Sequence, residues 1–224
     1  MDLLLKFLKK LKSNNNREWF EKHRPEFDEA RTIFQDFCEQ VISGIRKFDK
    51  QIGPDITAAN STFRIYRDVR FSKDKTPYKT HMSASINPGG KKSVTAGYYL
   101  HIQPGESFIA GGVWMPEPVM LQAIRQEIDY QPQDLMKILR SATFKKYFKG
   151  FDEEGKLKTV PKGYDKDHPH IDLLRNRHFI VSHEFSDKVL LSEKSLQHVV
   201  SGFKAMYPLM QYLRTAQDHQ EDIK

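Results

Sequence analysis

The residues best suited to chemistry are concentrated in one stretch, Thr62-Phe-Arg-Ile-Tyr-Arg-Asp-Val-Arg-Phe-Ser-Lys-Asp-Lys-Thr-Pro-Tyr-Lys-Thr-His81. Arg64, Arg67, Arg70, Lys73, Lys75 and Lys79 stand there against Asp68 and Asp74, with Tyr66, Tyr78 and His81 interleaved. Guanidinium forks match the oxygens of phosphate or carboxylate, and a Ser-Lys-Asp-Lys-Thr-Pro loop adds hydroxyls, ammonium groups and backbone N–H donors. The combination suits an oxyanion. If the stretch is a regular strand, Arg67 shares the apolar parity of Phe63, Ile65, Val69 and Phe71. A bulge must then turn Arg67 outward, or a carboxylate or bound anion must hold it, because an unpaired buried guanidinium is costly. The competing reading is a solvated strand face and a charged turn stitched to the two aspartates.

A second group lies in Val160–Arg175. Asp167-His168-Pro169 reads as a turn that aims an imidazole in a fixed direction, suited to proton transfer if a partner is near. His168 and His170, with Asp165, Asp167 or Asp172, could ligate a metal, but their spacing matches no specific metal motif. Loop ordering, or a helix N-cap by Asp167 or Asp172, is the ordinary alternative, and no metal is expected. His101 falls on the polar parity of its strand, to line a site or face water. Trp114 beside Gly111 and Gly112 offers a pocket wall or a core residue. Cys38 sits on the apolar side of a helix and reads as a buried, inert thiol. No GxGxxG, Walker, HExxH or GxSxG motif occurs, so no cofactor is expected.

The elements that position these groups follow from periodicity. Leu4, Phe7, Leu8 and Leu11 form one helical face. Asn14 to Asn16 cap a short helix through Phe20, and from Pro25 the apolar residues Phe27, Ala30, Phe34, Phe37, Cys38, Val41, Ile45 and Phe48 predict one long helix ending near Gly53. The period then changes to two, predicting strands over 63–71, 82–86, 94–102 and 108–114, with turns at Asn87–Gly90 and Pro104–Gly105. Helices return from Pro118, from Pro132 and over Ser141–Phe148. Residues 149–170 read as a long loop, with a turn at Asp152–Gly155. A strand through Phe179–Phe185 and a final helix capped by Ser192 and kinked at Pro208 complete the chain. Strands joined by turns this short must pair antiparallel. The expected class is α+β: a meander of about four to five strands (60–115, with one more at 179–185) against N-terminal helices (1–53) and C-terminal helices, in one domain over 1–224.

Composition bounds the function more loosely. The net charge of +7 comes from 36 Lys and Arg against 29 Asp and Glu, and favours polyanionic partners only if it is clustered. One cysteine excludes an intrachain disulfide and a thiolate zinc site, which fits a reducing, cytoplasmic setting. No stretch approaches about 20 uninterrupted apolar residues, so no membrane span is expected. The N-terminal segment lacks the order of a signal peptide, and its basic amphipathic helix is expected to dock on its own domain rather than on a membrane.

The two charged stretches, with Asn15-Asn-Arg-Glu-Trp-Phe20, Pro161-Lys-Gly-Tyr164 and Leu173-Leu-Arg175, resemble an uncharacterised, mainly microbial family, domain of unknown function 2461, over almost the whole chain. The resemblance implies no established activity, cofactor or catalytic residue. Three readings stand. The first is a module in which Arg64, Arg67, Arg70, Lys73, Lys75, Tyr78 and Lys79, with Tyr164 and Arg175, bind a phosphorylated small molecule or a nucleic-acid backbone. The second is an enzyme on an anionic substrate, with His81, Asp167 or His168 as acid or base. The third is a structural or interaction protein whose cations pair with its own acids.

Overall fold

A computed structural model describes residues 1–218. The N-terminal apolar face forms α1 (Asp2–Ser13) and is buried on the protein itself: Leu4, Leu5, Phe7, Leu8 and Leu11 pack toward α3 (Arg24–Arg46). Between them, α2 (Arg17–Lys22) is capped by Asn16, whose side chain accepts the Trp19 N–H at 2.9 Å. Pro25 sits in the first turn of α3, where its missing N–H costs nothing. The apolar stripe of α3 runs from Phe27 to Ile45 and includes Cys38, whose thiol pKa is raised by burial. The helix stops at Arg46, earlier than the stripe suggests, and the Arg46 guanidinium then caps the following turn by donating to the carbonyls of Gly53 and Ile56. A capping box between Thr57 and Asn60 starts the one-turn α4 (Ala58–Ser61).

Four strands follow the expected antiparallel order: β1 (Met82–Ile86), β2 (Gly97–Ile102), β3 (Ser107–Val113) and β4 (Phe179–Phe185), each paired with the next. One parity supplies the core face, with Ala84 opposite Leu100, Leu100 opposite Ile109, and Val113 opposite Phe179. The long α10 (Ser195–Asp218) crosses that face over β3, with Pro208 inside it. Its approach depends on Gly111, where a Cβ would lie 2.2 Å from the Met206 sulfur. Helices α5 (Pro118–Tyr130), α6 (Pro132–Arg140) and α7 (Ala142–Lys145) fill the chain before residues 149–170, and the one-turn α8 (Ile171–Leu174) and α9 (Asp187–Leu190) flank β4. The architecture is α+β. Among the described residues no helix is long and apolar enough to cross a membrane.

A charged cluster lies inside this core. Asp49 accepts from the Tyr98 hydroxyl and from Arg214 Nη1, each at 2.8 Å, and Arg214 Nε donates to the Ala96 carbonyl. Asp49 and Arg214 are buried, so the cluster ties the chain after α3 to β2 and α10. Removing one partner of such a pair leaves the other uncompensated, at about 3–5 kcal/mol.

Besides the earlier end of α3, three expectations are corrected. Residues 63–71 are not a strand, and only the isolated bridges Thr62–Ala84 and Tyr66–Tyr78 hold the segment beside β1. Side chains that bond the segment's own backbone compete with a ladder there. The strand expected from Val94 begins at Gly97, because the buried Asn87 amide donates to the Thr95 carbonyl and shapes 88–96 as a loop. Ser192 donates its hydroxyl to the Val189 carbonyl, and the last helix starts three residues later.

Candidate functional site

The basic stretch is an irregular arm bolted at its base to α2. Tyr78 is buried and stacks on Phe20 with ring centroids 4.0 Å apart, while its backbone exchanges hydrogen bonds with the Asn15 side chain at 3.1 and 2.9 Å. The motif around Asn15–Phe20 and the motif of the arm therefore touch. Further out, Arg67 N donates to the Pro77 carbonyl at 2.9 Å and Lys79 N to the Ile65 carbonyl at 2.8 Å.

Most of the arm's cations are spent internally. The Arg67 guanidinium donates to the Asp74 carboxylate and the Thr76 hydroxyl. Of the alternatives open for Arg67, a carboxylate holds it, supplied from seven residues along the same arm. Asp74 also receives the Thr76 N–H at 2.9 Å, and these donors hold its carboxyl down to about 2, the Thr76 N–H contributing most. Arg70 is bidentate on Asp68, at 3.0 and 2.7 Å. Lys75 and Lys79 donate to the carbonyls of Val69 and Arg64, both at 3.0 Å. Burial lowers the Lys79 pKa. Among the described residues, the side chains of Arg64 and Lys73 have no hydrogen bond or ion pair, and Phe71 at the apex is 95% exposed.

The second charged group is tied elsewhere. His168 Nδ1 accepts the His170 N–H at 3.0 Å, so Nε2 carries the proton that it shares with Asp129 on α5 at 2.9 Å. Asp167 is exposed, and its N–H donates to Asp165. Asp172 takes Lys156 at 2.8 Å. The Tyr164 ring lies 6.4 Å from that of His168, and burial raises its phenol pKa. The carbonyl of Arg175 accepts the Leu157 N–H, while its buried Nε has no partner. This group belongs to α5 and the β4 side, whereas the arm belongs to the β1 edge. The strand order separates the two edges by three inter-strand spacings, about 14 Å. No hydrogen bond, ion pair or ring contact joins the two groups among the described residues. His81 instead lies 4.2 Å from the His101 ring, which stacks at 4.6 Å on Phe108. Burial, then the neighbouring His101 and Lys79, push the His81 pKa down to about 4.

What the arm does form with its neighbour is a furrow against α3. Arg24 and Arg31, two turns apart on one helix face, line it together with Arg64, Phe63 and Tyr66, around a space of about 130 Å³. No carboxylate lines it. Asp28, which is not part of the lining, is shared by Arg24 at 3.6 Å and Arg31 at 3.2 Å, so one acid faces these two guanidinium groups and none is paired with Arg64 among the described residues. The Arg24 and Arg31 guanidinium groups lie 5.6 Å from the Phe27 ring centroid, which orients them. Arg24 also reaches the Tyr66 hydroxyl at 3.4 Å. Sequence reasoning missed Arg24 and Arg31, which stand on the solvent side of an amphipathic helix. Their spacing of seven was the available signal, and it has meaning only once the arm is known to lie beside α3.

No curated protein and no solved structure matches the chain significantly. Residues 3–212 match the sequence profile of a family described as conserved hypothetical protein (DUF2461), and the chain, with Asn15–Phe20 holding the base of the basic arm, belongs to that family.

Proposed function

We propose that the protein is an anion-binding module, with Arg24, Arg31 and Arg64 holding one oxyanion between α3 and the arm. The observation that carries this reading is the furrow itself, which three arginines line and no carboxylate does. Arg67 and Arg70 serve differently, as ties that hold the arm in shape while Arg64 is left free. The oxyanion is a phosphate, from a phosphorylated small molecule or from a nucleic-acid backbone, and Lys73 and Phe71 at the apex distinguish the two. A small phosphate ester engages the furrow alone. A single strand continues past it, using Lys73 for a further phosphate and Phe71 as a stacking surface.

The test is calorimetric titration of the full chain with pyrophosphate and with a short oligothymidylate. In the small-molecule case pyrophosphate binds, Arg24→Ala and Arg64→Ala each weaken it, and Lys73→Ala leaves it unchanged. In the backbone case the oligonucleotide binds more tightly, Lys73→Ala weakens it, and the log–log salt slope falls by about 0.7 for each phosphate contact removed. Binding that persists unchanged when Arg24, Arg31 and Arg64 are all alanine, or failure of both probes to bind, overturns the proposal.

A further inference from the structure

The face of the sheet turned away from α10 carries a second concavity, of opposite character. The register places Ser85, Tyr99, Ala110 and Ser182 in one row across the four strands, and Gly97, Gly112 and Ile180 in the next. Apart from Tyr99 and Ile180, both rows carry small side chains or none, which leaves a groove of about 690 Å³ over the sheet. Replacing Gly112 there would strain the backbone, since its φ is +129° and a Cβ would stand 1.8 Å from the Phe179 carbonyl oxygen. The walls are aromatic. Phe63, Tyr99 and Phe108 line one part, and Trp114, 56% exposed, stands at the end of β3. The Trp114 ring stacks on His178 at 4.3 Å, and His178 Nδ1 is itself held by the Met115 N–H at 3.1 Å. Of the two readings of Trp114, pocket wall and core, its place is the wall, whereas His101 lies behind Tyr99 with Nδ1 3.2 Å from the phenol.

The polar lining selects the occupant. Asp152, Glu154 and Glu184 open onto the groove, and among the described residues none has a cationic partner. Asp152 is held in place by its N–H to the Ile180 carbonyl and by the Ser182 hydroxyl at 3.0 Å. Burial, followed by the nearby Glu154 charge, raises its pKa, with the Ser182 hydroxyl opposing. The one cation in the lining, Lys91, is already engaged: Nζ donates to the Thr62 carbonyl at 2.9 Å and lies 6.0 Å from the Phe63 ring centroid. In a chain of net charge +7, an aromatic-walled groove with three unpaired carboxylates is complementary to positive charge.

We propose that this groove binds a small organic cation, an amine or guanidinium group carried on a flat apolar body. The body lies on the small-residue floor against Trp114, Tyr99 and Phe108, and the cation meets Asp152 and Glu184. This site is independent of the arginine furrow, since only Phe63 is common to the two linings.

A matched pair of probes tests it: 2-phenylethylamine and 3-phenylpropionate, which share the ring and differ in charge, added to the ¹⁵N-labelled full chain. The chain has two tryptophans, so the indole N–H of Trp114 reports the groove and that of Trp19, packed among the N-terminal helices, serves as control. The expected result is that the amine at millimolar concentration moves the Trp114 signal and not that of Trp19. Asp152→Asn and Glu184→Gln should each weaken the amine about 3- to 10-fold, as loss of one partly exposed charge contact does. An unchanged Trp19 signal in each variant shows that the fold is kept. Equal or tighter binding of the propionate, amine binding unaltered in the Asp152→Asn/Glu184→Gln double variant, or no movement of Trp114 overturns the proposal.

Discussion

The furrow beside α3 and the groove over the sheet lie on either side of Phe63, and their charges are opposed: three arginines with no lining carboxylate in one, three carboxylates with one engaged lysine in the other. The arm between them carries six cations in twenty residues, yet Arg67, Arg70, Lys75 and Lys79 are bonded to the arm's own acids and carbonyls. Charge density along a sequence therefore measures what an element needs to hold its shape as much as what it offers a ligand. Availability is decided by which groups remain unpaired after folding.

The largest expected effects come from changes that remove the frame of both regions or the floor of one. Arg214→Met leaves Asp49 buried without its cation and should cost about 3–5 kcal/mol in urea denaturation. A loss below about 1 kcal/mol would mean that Tyr98 alone satisfies Asp49. Gly112→Ala forces a side chain against backbone at positive φ and should cost about 2–4 kcal/mol, with loss of the Trp114 response to amines.

Binding should separate the two regions next. Arg24→Ala with Arg64→Ala should lower phosphate affinity about tenfold or more with little change in stability, while leaving amine binding intact. Asp152→Asn should do the reverse. Variants that weaken both ligands together would show that the two sites are coupled. Amine affinity should also decline as pH falls, and because burial raises the Asp152 pKa the decline should begin above the ordinary carboxylate range.

Smaller effects test the residues between the sites. His81 has its pKa pushed from 6.5 to about 4, so the unfolded chain binds the proton more readily than the folded one. Its contribution to stability is complete above pH 6.5 and is lost as pH falls toward 4. Denaturation midpoints across that window should fall with pH, and less steeply in His81→Asn. Smallest of all, Arg70→Ala breaks an exposed pair with Asp68 and should leave the denaturation midpoint nearly unchanged, with phosphate binding retained. Loss of binding in Arg70→Ala would move the anion site outward along the arm.

Much of the frame could be read from local patterns. The apolar spacing of Leu4 to Leu11 and of Phe27 to Ile45 placed α1 and α3, and alternation in 82–86, 98–102 and 179–185 placed three strands, because periods of 3.6 and 2 are properties of the backbone itself. The strand expected over 63–71 failed where alternation was carried partly by charged side chains, which bond backbone and one another rather than pack on a sheet. Cys38 could be placed in the core from its helix face alone, and the docking of α1 on its own fold from its apolar stripe.

What the sequence by itself determined was the α+β order of elements, the core faces and the existence of a basic stretch over 62–81. What only the tertiary structure decided was which charges are free. Arg24 and Arg31 become partners of Arg64 because the arm folds back on α3, and Asp152 meets Ser182 and the open face of the sheet because residues 149–156 run beside β4. These contacts join residues tens of positions apart, and no local period encodes which of two opposite charges finds its partner first.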